Sequence, residues 1–475
     1  MRYLTRLFVA CLCTTLFLLG SCRKNDILSS GGSIRFSADT LLFDTVFSTR
    51  GSATYNIKIY NVQNQPIHIS NVRLEGGAGS QFKINVNGIS GGTGNTVNDQ
   101  ELAAHDSMYV FSIVNVDPTS ETSPFVVQDK LIVTLNNQEF SVPVIAYGQN
   151  AHYLYDSVIT PGAVWDNTLP YVIIHNAYVD KGNTLTIKAG TRIYMHADSR
   201  LYMLGNLITE GTKKDSIIFQ GDRLDRSYFS YLQIPGEWGG LYFTTSSTGN
   251  KLKWTVLKNC GNSTALNGGM AQPAAIEVDR NPAAGSEQLQ MDNCIIQNSL
   301  VYGLLSFGGG VQMRNSMIQT CGSANVAIFE GGNYEFDHCT FVTYGTRFVS
   351  HSKDPVFYML NYRDTSNTRW VSGNLKATIN NCLIYGTLTE ELVSWKKDGA
   401  TFDVTFNNCL VRAKDGIHEA NVLNQCKKNE DPRFVDYAKW DFHLKEGSPA
   451  INAGNGLLFG QTLDDQPRNN NIGAY

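Results

Sequence analysis

Few side chains in this sequence have the type and spacing to do chemistry. Tyr358, Tyr362, Arg363, Arg369 and Trp370 cluster in one short stretch. Aromatic rings stack on sugar faces, and guanidinium groups beside them hold carboxylated sugars. Tyr358, Tyr362, Arg363 and Trp370 are therefore the expected glycan contacts; the competing assignment has them packing a loop onto the body of the fold. A second group, Asp222-Arg223-Leu224-Asp225-Arg226, precedes Tyr228, Phe229 and Tyr231. Alternating charges of this kind usually form a solvated lattice of weak ion pairs. His418-Glu419 sets a base beside an acid, with no third group positioned to make them work together.

Ten cysteines are the other reactive set. Cys11 and Cys13 fall in an apolar N-terminal run, and Cys22 closes it. The remaining seven, an odd number, are Cys260, Cys294, Cys321, Cys339, Cys382, Cys409 and Cys426. Five of them stand second in a recurring pair: Asn259-Cys260, Asn293-Cys294, His338-Cys339, Asn381-Cys382 and Asn408-Cys409, with Asn315-Ser316 as a sixth unit. The second positions lie 34, 22, 23, 43 and 27 residues apart, two near 22 and one near twice that. A period of this size signals a solenoid, in which each repeat stacks on the last. Asn tolerates the left-handed backbone of a bend, and stacked amides hydrogen-bond from coil to coil. The Cys or Ser beside it is expected to point inward as small filler. Stacked thiols have near-parallel Cβ directions, which suits a disulfide poorly, so buried free thiols are expected. Past residue 22 there is no Cys-x-x-Cys and no His-Glu-x-x-His, so neither a metal site nor a cofactor is expected.

The elements that position these residues begin with an address. Arg2 and Arg6 flank the start of an apolar run over 7–19, too short to span a bilayer comfortably and shaped like a secretory signal. It ends in Leu19-Gly20-Ser21-Cys22, which resembles the bacterial lipobox. The resemblance implies a lipoprotein signal peptide over 1–21, cleavage before Cys22 and acylation of that residue. Two or three acyl chains make a stable membrane anchor. Arg23, where Asp would imply retention at the inner membrane, implies the outer membrane, with the periplasmic and extracellular faces both open. Lys plus Arg number 38 against 42 Asp plus Glu, a net charge of −4. No basic excess is available for nucleic acid, which is excluded as a partner.

After a tether over 22–33, residues 34–150 read as short alternating strands. Tyr55-Asn56-Ile57-Lys58-Ile59-Tyr60, Ile67-His68-Ile69 and Lys130-Leu131-Ile132-Val133-Thr134-Leu135 put apolar residues at every second position. With breaks at Gly76-Gly77 and Gly91-Gly92, about seven strands suit an immunoglobulin-like β-sandwich, expected to serve as a spacer. Beyond residue 152 the rhythm changes. Gly182-Asn183-Thr184-Leu185-Thr186-Ile187-Lys188-Ala189-Gly190-Thr191-Arg192-Ile193 is strand, turn, strand; residues 201–219 repeat it, and Trp238-Gly239-Gly240-Leu241-Tyr242-Phe243 follows. These segments resemble the opening coils of secreted right-handed parallel β-helix proteins of the pectin-lyase-like type. Asp431-Pro432-Arg433-Phe434, Phe442-His443-Leu444, Gly447-Ser448-Pro449-Ala450-Ile451 and Asn471-Ile472-Gly473-Ala474-Tyr475 are similar to the closing segment of many bacterial extracellular β-helix proteins. Gln466 and Asn471 depart from that pattern, standing where Gly and Asp are usual. The fold class expected is all-β: the sandwich, then a single-stranded right-handed parallel β-helix over 151–430, then a capping segment over 431–475 that shields the last coil's open edge.

Many β-helices of this type cut acidic polysaccharides, so their catalytic apparatus can be sought residue by residue. Polygalacturonase-type hydrolases carry Asn-Thr-Asp, Asp-Asp, His-Gly and Arg-Ile-Lys along successive coils. Here no His precedes a Gly, and the one Asp-Asp is Asp464-Asp465, in the closing segment. The Arg-x-Pro-x-x-Arg of pectate lyases begins at Arg280-Asn281-Pro282 and fails at Gly285. No catalytic residue is assigned. The function expected is a non-catalytic envelope lipoprotein that presents a solenoid surface to a polysaccharide or another envelope protein, with the membrane reached through its lipid anchor. The competing class is a polysaccharide lyase or glycoside hydrolase with an unrecognised active site; a purely structural envelope component is the third.

Overall fold

A computed structural model of the chain describes residues 26–475 apart from 198, 225–232, 263–271, 282–287, 367–368, 420–421 and 457–458. The signal segment, Cys22, Asp225, Arg226, Tyr228, Phe229 and Tyr231 lie outside the described residues. Among those described, the regular structure is β-strand with two short 3-10 turns, Gly77–Gly79 and Tyr437–Lys439. None forms a helix long and apolar enough to cross a membrane. The chain divides into two units, 1–150 and 151–475.

The first unit holds two five-stranded sheets. One orders Ile34–Phe36, Tyr55–Asn61, Ser107–Val114, Phe82–Val86 and Ile89–Ser90, all antiparallel. The other orders Leu41–Phe47, Gln138–Gln149, Phe125–Leu135, Ile67–Leu74 and Thr96–Leu102, with a parallel pairing between its first two. Strand alternation turns Tyr55, Ile57 and Ile59 of one sheet and Ile67, Ile69, Val72 and Leu74 of the other into a shared core. Asn136 and Asn137, with φ of 49° and 64°, make the two-residue turn between Phe125–Leu135 and Gln138–Gln149, the left-handed geometry that matches strand twist in a hairpin.

The second unit is built of long parallel sheets, an arrangement consistent with a β-helix. Apart from two antiparallel hairpins, its described strands fall on three ladders. The first runs from Arg200–Met203 through Gly240–Phe243, Ala274–Asp279, Tyr302–Phe307, Val326–Phe329 and Phe357–Leu360 to Leu392–Trp395. The second runs from Arg192–Met195 to Lys427–Lys428, and the third from Val164–Trp165 through Thr184–Lys188 to Leu423–Asn424. Ile193, Phe219, Leu257, Ile296, Ile318, Phe341, Ile384 and Val411 are successive register partners on the second ladder, and all are buried. Burying side chains of this size stabilises by about 1.5–3 kcal/mol each, so the register is fixed by the core it creates.

Each later strand of the second ladder is entered through a left-handed residue. Trp254, Asn293, Asn315, His338, Asn381, Asn408 and Gln425 have φ between 46° and 56°. The inward residue that follows is Thr255, Cys294, Ser316, Cys339, Cys382, Cys409 or Cys426. Backbone N–H groups donate down this column: Cys294 to Ser316 Oγ at 2.9 Å, Cys339 to Cys382 Sγ at 3.3 Å, Cys382 to Cys409 Sγ at 3.4 Å and Cys409 to Cys426 Sγ at 3.4 Å. All seven described cysteines are free.

The register corrects one member of the expected column. Asn259-Cys260 follows its strand, Thr255–Lys258, instead of preceding one. Leu257 pairs with Ile296, which aligns Cys260 with Ser299, itself paired with Cys321. Asn259, Asn298 and Thr320, with φ of 59°, 63° and 58°, form a second left-handed bend at the other end of these strands. The interval of 34 residues, out of step with a period near 22, was the trace of this in the sequence. Gln425-Cys426 takes the place at the column's end.

The closing segment was expected to cover the end of the last coil, and its contacts fall instead on the flank of the second ladder. Phe434, Phe442, Ala450, Leu463, Ile472 and Ala474 pack with Met317, Val342, Leu383, Tyr385 and Leu410. The cause is that these ladder residues are apolar and face away from the solenoid core, so they need a cover. Arg468 reaches into the Asn column, donating to Asn315 Oδ1, to His338 Nδ1 at 3.2 Å, and to the carbonyls of Gly473 at 2.7 Å and Ala474 at 3.1 Å. Asn455 N–H donates to Asn381 Oδ1 at 2.8 Å.

Candidate functional site

The outward face of the first ladder gathers the chemistry. Inward residues Leu201, Leu241, Ile276, Leu304, Val326, Phe357 and Leu392 are core. The residue after each faces out, giving the column Tyr202, Tyr242, Glu277, Leu305, Ala327, Tyr358 and Val393. Two positions further along the strands, Asp279, Phe307 and Phe329 form a parallel column. Tyr178 stacks on Tyr202 at 5.1 Å, and Tyr202 meets Tyr242 edge-on at 5.7 Å. Further along, Phe307 stacks on Phe329 at 6.0 Å, and Phe329 lies 6.1 Å from Tyr358. These centroid separations are the usual ones for aromatic pairs.

Between the two aromatic groups sits a buried ionisable cluster. The Arg200 side chain crosses Gly239, where a Cβ would stand 2.4 Å from Arg200 Cγ. That close approach gives the Trp238-Gly239-Gly240 motif its physical reason. Arg200 is 1% exposed; its Nη2 donates to Gln272 O at 2.9 Å, while Nε and Nη1 have no partner among the described residues. Burial pulls the guanidinium's pKa down. Glu277, also 1% exposed, accepts the Gln272 N–H at 2.5 Å, and burial pushes its carboxyl up to about 8. Tyr242 Oη donates to Asp279 Oδ2 at 2.5 Å. Burial and then that hydrogen bond drive the phenol well above its usual value, and burial raises the Asp279 carboxyl. At neutral pH the cluster therefore pairs a charged guanidinium with a carboxyl that keeps its proton.

The expected glycan contacts are partly brought together. Tyr358 lies on the stripe and donates from its hydroxyl to Asp354 at 3.2 Å. A hairpin of Tyr362–Ser366 and Arg369–Ser372 leaves the coil beside it. Arg363 pairs with Glu330 and lies 4.9 Å over the Phe307 ring. Trp370 is 48% exposed, with Lys397 Nζ 4.5 Å from its ring centroid. Tyr362 is corrected from contact to packing: it is 7% exposed beneath the same Lys397, 4.2 Å away. His418 stacks on Trp395 at 4.1 Å while Glu419 pairs with Lys396, so the adjacent His and Glu serve different partners. His338 is a buried bend residue, and burial followed by the Arg468 charge lowers its pKa to about 4.

Arg200, Glu277, Phe307 and Phe329 were not singled out from the sequence. Period-two alternation marks them as outward residues, but the unequal coils hide which of them meet. Among the described residues no group of three or more His, Cys, Asp or Glu is placed to hold a metal ion.

No family model matches the chain, and no curated protein matches it. Among solved structures, a family 123 glycoside hydrolase from Clostridium perfringens is similar at 8% identity and a TM-score of 0.17, over 25% of this chain and 26% of that one. A protein of unknown function from Porphyromonas gingivalis W83 matches at 13% identity and a TM-score of 0.19, over 27% of this chain and 60% of that one. The E. coli chaperone DraB matches at 12% identity and a TM-score of 0.17, over 25% and 54% respectively. Likenesses this slight, spanning less than two thirds of each neighbour, carry no assignment.

Proposed function

We propose that this chain is an outer-membrane lipoprotein, acylated at Cys22, that holds an extended glycan along the first ladder of a right-handed parallel β-helix. An immunoglobulin-like sandwich over 34–150 serves as its spacer. The observation that carries the reading is the outward aromatic stripe, Tyr178 and Tyr202 at one end and Phe307, Phe329 and Tyr358 at the other. Rings recurring on neighbouring coils offer a sugar chain one apolar platform after another, and Arg363 and Lys397 add cations beside them. The reading is non-catalytic, with binding as the function. The test sets the full chain in detergent against acidic and neutral polysaccharides in affinity gels. Trp370→Ala should weaken retention about fivefold, the worth of one stacking partner. Unchanged retention in that variant would take the glycan off this face and sink the reading, and silence from every glycan would sink it in favour of a protein partner.

One observation favours a second reading, a polysaccharide lyase or glycoside hydrolase. Glu277 holds its proton at neutral pH and shares a strand face with Asp279, and glycosidic cleavage uses a carboxylic acid with a second carboxyl nearby. The same mixtures, assayed for new reducing ends and unsaturated products, decide between them. Product formation that disappears in Glu277→Gln replaces binding with cleavage; absence of product from every retained glycan leaves binding standing.

A further inference from the structure

A second groove lies on the flank of the second ladder, away from the stripe. Tyr344, Tyr385 and Arg412 form one wall at the ends of ladder strands, and Arg433, Tyr437 and Lys445 of the closing segment form the other. The groove encloses about 760 Å³, a size typical of ligand clefts. Its cations are held in place. Asp431 Oδ1 accepts the Arg433 N–H at 2.9 Å, and Lys445 N–H donates to Arg433 O at 2.9 Å, tying the two cationic residues together. Gly447 has φ of 77°, and a Cβ there would stand 2.8 Å from Arg433 Nη1, so the guanidinium rests against glycine. Tyr437 stacks on Tyr344 at 4.4 Å yet remains 52% exposed. Arg412 lies 5.2 Å over the Tyr385 ring and donates to Gly386 O at 2.7 Å.

Among the described residues neither Arg433 nor Lys445 makes an ion pair, although Asp431 and Glu446 line the same groove. Three cations against two acids leave a net positive site floored by tyrosine rings. We infer that this groove binds a carboxylated sugar, with its ring against Tyr437 and its carboxylate between Arg433 and Lys445. A neutral sugar would use the ring and leave both cations unmatched. An anion without an apolar face would use the cations and leave the ring bare. The site is separate from the first-ladder stripe and does not depend on that reading.

Calorimetry of the full chain in detergent with trigalacturonate, its methyl ester and maltotriose tests the inference. Trigalacturonate should bind more tightly than either neutral probe. Arg433→Ala and Tyr437→Ala should each weaken it about tenfold, while Arg433→Lys and Tyr437→Phe retain most of the affinity. Retention in these conservative variants shows that the groove itself is intact. Equal affinity for the methyl ester, or wild-type affinity in both alanine variants, overturns the inference. Loss confined to Trp370→Ala would place acidic glycans at the hairpin beside the stripe and overturn the groove; loss confined to the groove variants supports the groove.

Discussion

Along the second ladder, Asn315, His338 and Asn381 are buried, and each meets a partner: Asn315 donates to Asn293 at 2.6 Å, Asn381 to Asn455 O at 3.2 Å, and Arg468 crosses from the closing segment to join Asn315 and His338. Along the first ladder, Arg200 and Glu277 are buried as deeply, but two guanidinium nitrogens have no acceptor among the described residues and burial pushes the carboxyl up to about 8. The first arrangement fixes coil register and seats the closing segment. The second leaves a buried cation with unmet donors, a state that costs stability. Polar burial with every partner present is a structural device; polar burial with partners missing marks a surface prepared for something else.

Removing the centre of the satisfied region should have the largest effect. Arg468 is 5% exposed and gives hydrogen bonds to five acceptors. Arg468→Ala strands Asn315 Oδ1 and the backbone carbonyls of Gln461, Gly473 and Ala474 and leaves a void. It should destabilise the closing segment by roughly 3–5 kcal/mol. Urea unfolding together with limited proteolysis reads this, with cleavage within 431–475 appearing first. A variant that resists protease as the wild type does would show that the apolar contacts of Phe434, Phe442 and Ile472 hold the segment without help from the column.

How much of this could be read in the sequence follows from how local each feature is. The bend residues and their inward neighbours are adjacent in the chain, so Asn381-Cys382 and Asn408-Cys409 announce the solenoid directly. Trp370 is legible for the same reason, since its hairpin partners lie within the same few residues. Cys260 was misplaced because its Asn-Cys pair looks identical at either end of a strand, and only register distinguishes the two bends. Tyr362 was misjudged because the side chain that covers it, Lys397, comes from a later coil. Arg200 and Glu277 were invisible because Leu241, Ile276, Leu304, Val326 and Phe357, the register partners that align their columns, are separated by loops of unequal length. Arg468 is the extreme case: its partners in the Asn column, Asn315 and His338, precede it by more than a hundred residues, and no periodicity links them.

The unsatisfied region should show itself in alkaline solution. Burial raises Glu277 from 4.5 to about 8, with the Gln272 N–H and Arg200 opposing and Asp279 adding. Between those values the unfolded carboxyl has released its proton and the folded one has not, so stability falls as pH rises across the window and levels off above it. Glu277→Gln removes the titration. Relative to wild type, the variant should gain roughly 4–5 kcal/mol between pH 4 and pH 9, measured as the difference in urea midpoints. Parallel pH profiles would mean that Arg200 holds Glu277 ionised as an internal counter-ion, and the contrast between the two ladders would narrow.

His338 supplies the smallest and most discriminating change, because it is the imidazole in a column otherwise dominated by amides. Burial, then the Arg468 charge, lowers its pKa from 6.5 to about 4, and Nδ1 faces the Arg468 donor at 3.2 Å. As pH falls below 6.5 the unfolded imidazole takes a proton that the folded one refuses, so its contribution is intact above 6.5 and is lost progressively toward 4. His338→Asn completes the amide column and has nothing to titrate. At pH 7 it should lie within about 1 kcal/mol of wild type, whereas at pH 4.5 it should retain roughly 2 kcal/mol that the wild type has lost. Urea midpoints at the two pH values measure both quantities. If the variant loses as much stability on acidification as the wild type, the imidazole is not the acid-sensitive group, and the Asp441–His443–Asp464 cluster is the next to mutate. There His443 meets Asp441 through Nδ1 and Asp464 through Nε2; against burial, those hydrogen bonds raise the imidazole pKa and lower both carboxyls, so the imidazole's contribution is lost as pH rises, whereas the carboxylates' is lost as pH falls and makes the cluster acid-sensitive.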